Sequence, residues 1–285
     1  MYSRRDFLRV SSLLGGAVVL STALSGRAAS AGRETLSAAT FAHGIASGDP
    51  LSDGVILWTR ATPEGSPSRL KLVWELSADE DFGEILRSGE VEAEAARDYT
   101  VKIDVRELAP GKVYFYRFVS ATDQSDAGRA KTLPAAGVAA VRLAVMSCSN
   151  YPAGYFHVYR EASRIEDLDA FVHLGDYIYE YGASGYATER AQELGRLYPG
   201  NNAGELYSLT DYRRRYALYR SDADLQAMHA AAPCIAVWDD HEVANDAWRH
   251  GAENHSAGEG DFAARKLAAV QAWYEWLPVR PPAGE

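Results

Sequence analysis

Between Phe41 and Leu133 the apolar positions come in short runs, rich in β-branched and aromatic residues and separated by turn residues at the spacing of a β-sandwich. The pattern predicts strands over Gly54–Arg60, Leu70–Ser77, Ile85–Val91, Thr100–Val105 and Val113–Ser120. In Val113–Val119 large side chains occupy both parities, which predicts a strand covered on both faces. The Leu108-Ala109-Pro110-Gly111 turn leads directly into it. After the short linker Ala135-Ala136-Gly137 the rhythm changes to apolar strands alternating with amphipathic helices. Val141–Met146, Ala170–Leu174 and Ile235–Trp238 read as buried strands, and Tyr155–Ile165 and Phe262–Trp276 as helices. The fold class expected is α+β: a β-sandwich over residues 41–134, then a layered α/β domain over residues 138–285.

The first thirty-one residues follow neither rhythm. Ser3-Arg4-Arg5-Asp6-Phe7-Leu8 is a twin-arginine pattern, Leu13–Leu24 a moderately apolar stretch, and Ala29-Ser30-Ala31 a small-residue cleavage site. Together they predict a signal peptide over residues 1–31, handed to the twin-arginine export machinery and ending in a periplasmic or secreted protein. The apolar run, broken by Gly15, Gly16, Ser21 and Thr22, falls short of the roughly 20 residues that span a bilayer, and no later run is long enough. That pathway exports folded proteins, often with a cofactor loaded, which favours a metal site.

Composition narrows the classes further. A 47% hydrophobic content is that of a globular chain with a real core, and a net charge of -10 opposes unspecific wrapping of nucleic acid. Only Cys148 and Cys234 are present, so an oxidising compartment permits one disulfide, and otherwise cysteine chemistry.

The candidate chemistry lies where three predicted strands end, the usual place for a site in layered α/β sheets. The first breaks into Ser147-Cys148-Ser149-Asn150-Tyr151-Pro152, and Cys148 is open to four readings: inert packing, half of a disulfide, a nucleophile or a metal ligand. The second ends in Gly175-Asp176-Tyr177-Ile178-Tyr179-Glu180; a carboxylate after a glycine can bridge two cations, and Tyr179 is near enough to add a phenol oxygen, or both are packing and capping residues. The third runs into Asp239-Asp240-His241-Glu242-Val243-Ala244-Asn245-Asp246. Four acids, a histidine and an asparagine within eight residues read as a cation site or as a solvated acidic loop. Oxygen donors of this kind suit a hard ion such as calcium or magnesium, while His241 is able to ligate or to protonate.

These tracts, with Gly44-Ile45-Ala46-Ser47-Gly48-Asp49-Pro50 and Val55-Ile56-Leu57-Trp58-Thr59-Arg60 before them, resemble the alkaline phosphatase D family in order and over nearly the whole mature chain. The resemblance implies a fibronectin-like sandwich followed by a metallophosphoesterase domain, and hydrolysis of phosphate monoesters and diesters outside the cytoplasm. It implies Fe3+ held by Cys148 and Tyr179, with Asp176 bridging to Ca2+ held by Asp240 and Asn245. His241 and Asp240 would then serve the reaction, His241 as proton donor or substrate-orienting group. It also implies that the catalytic domain continues beyond Glu285, so that part of the ligand set is missing. Two other functions fit the same residues: a phosphodiesterase or phospholipase-D-like enzyme, and an inactive fragment acting as an extracellular binding module.

Overall fold

The structure is a computed structural model describing residues 19–20 and 36–281. The signal peptide expected over residues 1–31 lies outside the described residues except for Val19–Leu20, a two-residue strand (β1). Twelve further strands follow: β2 (Ala39–Thr40), β3 (Ile45–Gly48), β4 (Val55–Arg60), β5 (Thr62–Pro63), β6 (Arg69–Ser77), β7 (Ile85–Glu94), β8 (Thr100–Val105), β9 (Val113–Val119), β10 (Gly128–Lys131), β11 (Leu143–Met146), β12 (Ala170–His173) and β13 (Cys234–Ala236). Four α-helices accompany the last three: α1 (His157–Ser163), α2 (Leu209–Arg220), α3 (Ala223–Ala231) and α4 (Phe262–Trp276). The chain is a mixed α/β protein.

A four-stranded antiparallel sheet, β10-β9-β6-β7, faces the β3-β4-β8 part of a larger sheet. Leu57, Ile103, Leu72, Trp74, Tyr116 and Phe118 from the two layers share one core. Burial alternates along β6 and β9, as it must when one face is packed and the other wet. The double coverage expected for Val113–Val119 is therefore only partial. Its outer face is half-buried because Arg117 pairs with Glu75 at 2.7 Å and lies 4.1 Å from the centre of the Phe82 ring.

The seven-stranded sheet runs β1-β8-β4-β3-β13-β12-β11, and so continues from the first half of the chain into the second. The join is a parallel pairing of Gly48 with Cys234. A side chain at Gly48 would put its Cβ 2.3 Å from the Pro278 carbonyl oxygen and 2.8 Å from that of Cys234, so only glycine lets three backbones meet there. The central strands β4, as far as Thr59, and β8 are buried on both faces because α4 covers the face that the sandwich leaves open. There Trp58 packs on Trp276 with ring centres 5.9 Å apart and donates its indole N–H to the Glu275 carbonyl at 2.8 Å. Past α4 the chain is clamped back onto the sheet: Arg280 grips Asp104 through Nε and Nη2 at 3.0 and 2.9 Å, and its Nη1 donates to the Asp49 carbonyl at 2.6 Å.

The second core lies under α1, α2, α3 and α4. Tyr212, Tyr216 and Tyr219 recur at helical spacing along α2 and all are buried. Ser208 and Asp211 close a capping box at its start, and Asp222 caps α3 by accepting from the Asp224 and Leu225 amides.

One expectation fails here. The run Val141–Met146 reads as a buried strand, yet β11 is the edge of the sheet, and Leu143 and Val145 are 47% and 61% exposed. Ala144 and Met146 point to the helical core, while the alternate residues face a side that no described element covers. Val237, at 52% exposure, lies just past the end of β13 and shares this openness.

Candidate metal centre

The parallel strands β11, β12 and β13 all deliver their carboxyl ends to one rim, and backbone bonds hold the three exits in register. Leu174 donates to Met146 O at 2.8 Å, Ser149 to Asp176 O at 2.9 Å, and Val237 to His173 O at 3.1 Å. The exits turn sharply: Cys148, Gly175 and Asp176 have φ of +60°, +106° and +54°. Two non-glycine residues in the left-handed region, each costing about 1–3 kcal/mol, sit on the two loops that carry the chemistry. Gly175 is required by space as well, since a Cβ there would lie 2.4 Å from the Asp239 backbone nitrogen.

The result is a convergence of donors. Asp176, Asp240 and His241 each present a ligand atom, all within 4.8 Å of one another, and among the described residues they form a group suited to a metal ion. The Asp176 Oδ2 atom accepts from the Tyr179 hydroxyl at 3.2 Å and the Cys148 thiol at 3.4 Å. Its Oδ1 is buried with no partner, the kind of lone carboxylate oxygen that a cation would satisfy. The charge environment agrees. Burial holds the Asp176 carboxyl above its usual range, and burial, then the Asp176 and Cys148 charges, hold the Tyr179 phenol far above its own. Both groups are thus disfavoured as anions in the bare site, and a bound cation would reverse that preference. The residues fit a metal.

Behind this group stand two buried carboxylates. Glu242 accepts from the Tyr177 amide at 2.6 Å and the Asp239 amide at 2.8 Å, stitching the second exit to the third; burial pushes its pKa up to about 7. Glu180, wholly buried, contacts His241 Nδ1 at 2.8 Å and accepts from the Asn245 backbone N–H and the Asn254 side-chain amide, each at 2.6 Å. Burial alone would favour neutral His241, but the Glu180 hydrogen bond and charge, with Asp176 and Asp240, raise its pKa. The Tyr179 ring stacks on the imidazole at 4.3 Å.

Cys148, Asp176, Tyr179, Asp240 and His241 are therefore brought together. Asn245 joins through its backbone, and its side-chain amide donates to Glu253 at 2.5 Å. The disulfide reading of Cys148 is corrected: both thiols are free, Cys148 exposed and Cys234 sealed in the core. Exposure equally removes the inert-packing reading. Sequence reasoning passed over Glu180, Glu242 and Asn254. Glu180 and Glu242 lay in the quoted motifs, but nothing in a linear pattern separates a buried acid that organises backbone amides from a solvated one.

Comparison with known proteins matches these elements. The sequence profile of the PhoD-like phosphatases covers residues 143–285, and that of the PhoD-like phosphatase N-terminal domain covers residues 26–134. Alkaline phosphatase D of Bacillus subtilis (strain 168) is 42% identical over 248 residues, 84% of this chain and 41% of that protein. A solved structure described as that of PhoD superposes with a TM-score of 0.76 at 41% identity, covering 86% of this chain and 48% of that one. The chain thus spans less than half the length of either relative. With both profiles matched in order, and a relative 42% identical over 84% of this chain, the chain belongs to the PhoD-like phosphatase family.

Proposed function

We propose that this chain carries the metal centre of a phosphoesterase of the alkaline phosphatase D type, which hydrolyses phosphate monoesters and diesters. The observation that carries this reading is the convergence of Asp176, Asp240 and His241, with Cys148 and Tyr179 both on the same Asp176 oxygen. Cys148 and Tyr179 would hold Fe3+, since a thiolate and a phenolate favour a trivalent ion. Asp176 would bridge to Ca2+, for which Asp240 and Asn245 supply oxygen donors. When bound, the cations neutralise charge on the phosphoryl group and lower the pKa of an attacking water. The protein's own part is positional and protic. The positive-φ turns at Cys148 and Asp176 bring the donors together, Glu242 locks the loops together, and His241 orients the ester and delivers a proton to the departing oxygen.

The family resemblance supports a fibronectin-like sandwich over residues 41–134 and a catalytic domain over residues 138–285, and the Arg4-Arg5 pattern ahead of Leu13–Leu24 and Ala29-Ser30-Ala31 supports delivery to the periplasm or medium by the twin-arginine machinery. The test is to purify the chain from a twin-arginine-competent host and measure iron and calcium by elemental analysis. p-Nitrophenyl phosphate and bis-p-nitrophenyl phosphate would then be assayed with calcium added or chelated. Iron together with a visible phenolate-to-iron absorption, lost in Tyr179→Phe, is expected. Absence of iron, or a band unchanged in Tyr179→Phe, would overturn the assignment.

A further inference from the structure

Glu180 follows the ligand-bearing turn and belongs to no assigned role, yet it is among the most constrained side chains in the molecule. It is a carboxylate with no solvent exposure. Among the described residues its partners are one imidazole and two amides, at 2.6–2.8 Å, and no arginine or lysine. The backbone on either side is fixed too: the buried Arg215 guanidinium donates to the Tyr179 and Tyr181 carbonyls, and the Glu180 carbonyl accepts from Leu206 N at 3.1 Å. Burying such a group is costly unless its hydrogen bonds are made, and those Glu180 makes are directed at His241, Asn245 and Asn254.

A carboxylate can only accept, so contact at Nδ1 requires that this nitrogen carry a hydrogen. In the neutral ring the lone pair then sits on Nε2, the nitrogen that Glu180 does not engage. The other carboxylate oxygen anchors the Asn245 backbone, one turn further on, so one side chain fixes both ends of the 241–245 turn. The geometry points to Glu180 as a positioning residue that selects the Nδ1–H tautomer of His241 and holds the Asp240–Asn245 turn in its cation-binding arrangement. Buried groups that stand behind a metal's ligands and fix their orientation act in this way at metal sites generally, and their loss typically weakens metal binding by about 10- to 100-fold. The cation-binding half of this inference rests on the metal centre proposed above; the tautomer half does not.

Tautomers are read directly from the ring nitrogens. The metal-free chain, labelled with 15N-histidine, is recorded at alkaline pH, where the imidazole is neutral, and His241 is assigned by its loss in His241→Gln. The wild type is expected to show a pyrrole-like Nδ1 and a pyridine-like Nε2. Glu180→Gln, which leaves one acceptor oxygen for three donors, is expected to shift His241 toward Nε2–H and to weaken Ca2+ binding, by titration calorimetry, about 10- to 100-fold. A wild-type Nε2–H form overturns the inference without any variant, which keeps it testable if Glu180→Gln does not fold. An unmoved tautomer in a folded Glu180→Gln overturns it equally. A tautomer that moves while neither protein binds Ca2+ upholds the positioning role and counts instead against the metal centre.

Discussion

Replacing Gly175 by alanine should open the site and weaken the fold together. Gly175 sits at φ +106°, outside the regions an L side chain adopts, and holding alanine there costs about 1–3 kcal/mol. The added Cβ would meet Asp239 N at 2.4 Å and Asp239 Cβ at 2.6 Å. Its nearest obstacle is backbone, tied by Glu242 to the Tyr177 loop, so it cannot swing aside as a surface side chain would. Overpacking of this kind costs about 1–3 kcal/mol more, and the stiffer unfolded chain returns only about 0.4–1 kcal/mol. A net loss of about 1–5 kcal/mol follows, against a total of roughly 5–15 kcal/mol for an ordinary domain. Urea unfolding of the metal-free chain, followed by tryptophan fluorescence, should show a midpoint lowered by roughly 0.3–2 M. Gly258→Ala is the control, because nothing lies within 4 Å of the Cβ it would gain and its φ is not positive. A Gly175→Ala protein within about 0.5 kcal/mol of wild type would refute the view that the two exits meet too closely for a side chain.

Two further outcomes follow from buried charge. His173 is fully buried, and desolvation lowers its pKa to about 4. A histidine depressed in the folded state is stabilising above its unfolded pKa of about 6.5, and that stability is lost as pH falls toward about 4, here amounting to about 3 kcal/mol. Chemical denaturation between these pH values should show His173→Gln with a flatter dependence than wild type by about that amount, and an unaltered slope would contradict it. Arg280→Ala should leave the nearly buried Asp104 with Arg106 alone and cost about 1.5–3 kcal/mol by thermal melting, with Arg280→Lys recovering only part because the two-pronged grip is lost.

Much of the architecture was legible because the physics is local. Short β-branched and aromatic runs bounded by turn residues marked β4, β6, β8 and β9 to within a residue or so, and Phe262–Trp276 was read to its ends, since the Asp261 cap and Pro278 bracket it. Helices α2 and α3 escaped although each has a cap, because the apolar stripe of α2 is made of tyrosines interleaved with arginines and reads as polar. The exposure of β11 was not legible at all. Alternation shows which face of a strand is apolar, whereas what lies above that face is decided elsewhere in the chain. The site divides in the same way. Its converging donors stood out as clusters of acids, histidine and tyrosine at strand ends. Glu180 and Glu242 stayed hidden because three of their partners are backbone amides, and the other two, His241 and Asn254, lie 61 and 74 positions from Glu180 in the chain.

The meeting of Gly48 with Cys234 bears on how this protein can be taken apart. Residues 135–143 are exposed and look like a hinge between two separable halves, an obvious place for a protease or a designer to cut. The sheet crosses that boundary elsewhere, and the clamp of Arg280 on Asp49 and Asp104 crosses it again. Severing the linker would therefore yield two fragments that remain one particle, and expressing either half alone would bare a seam that native strands ordinarily close.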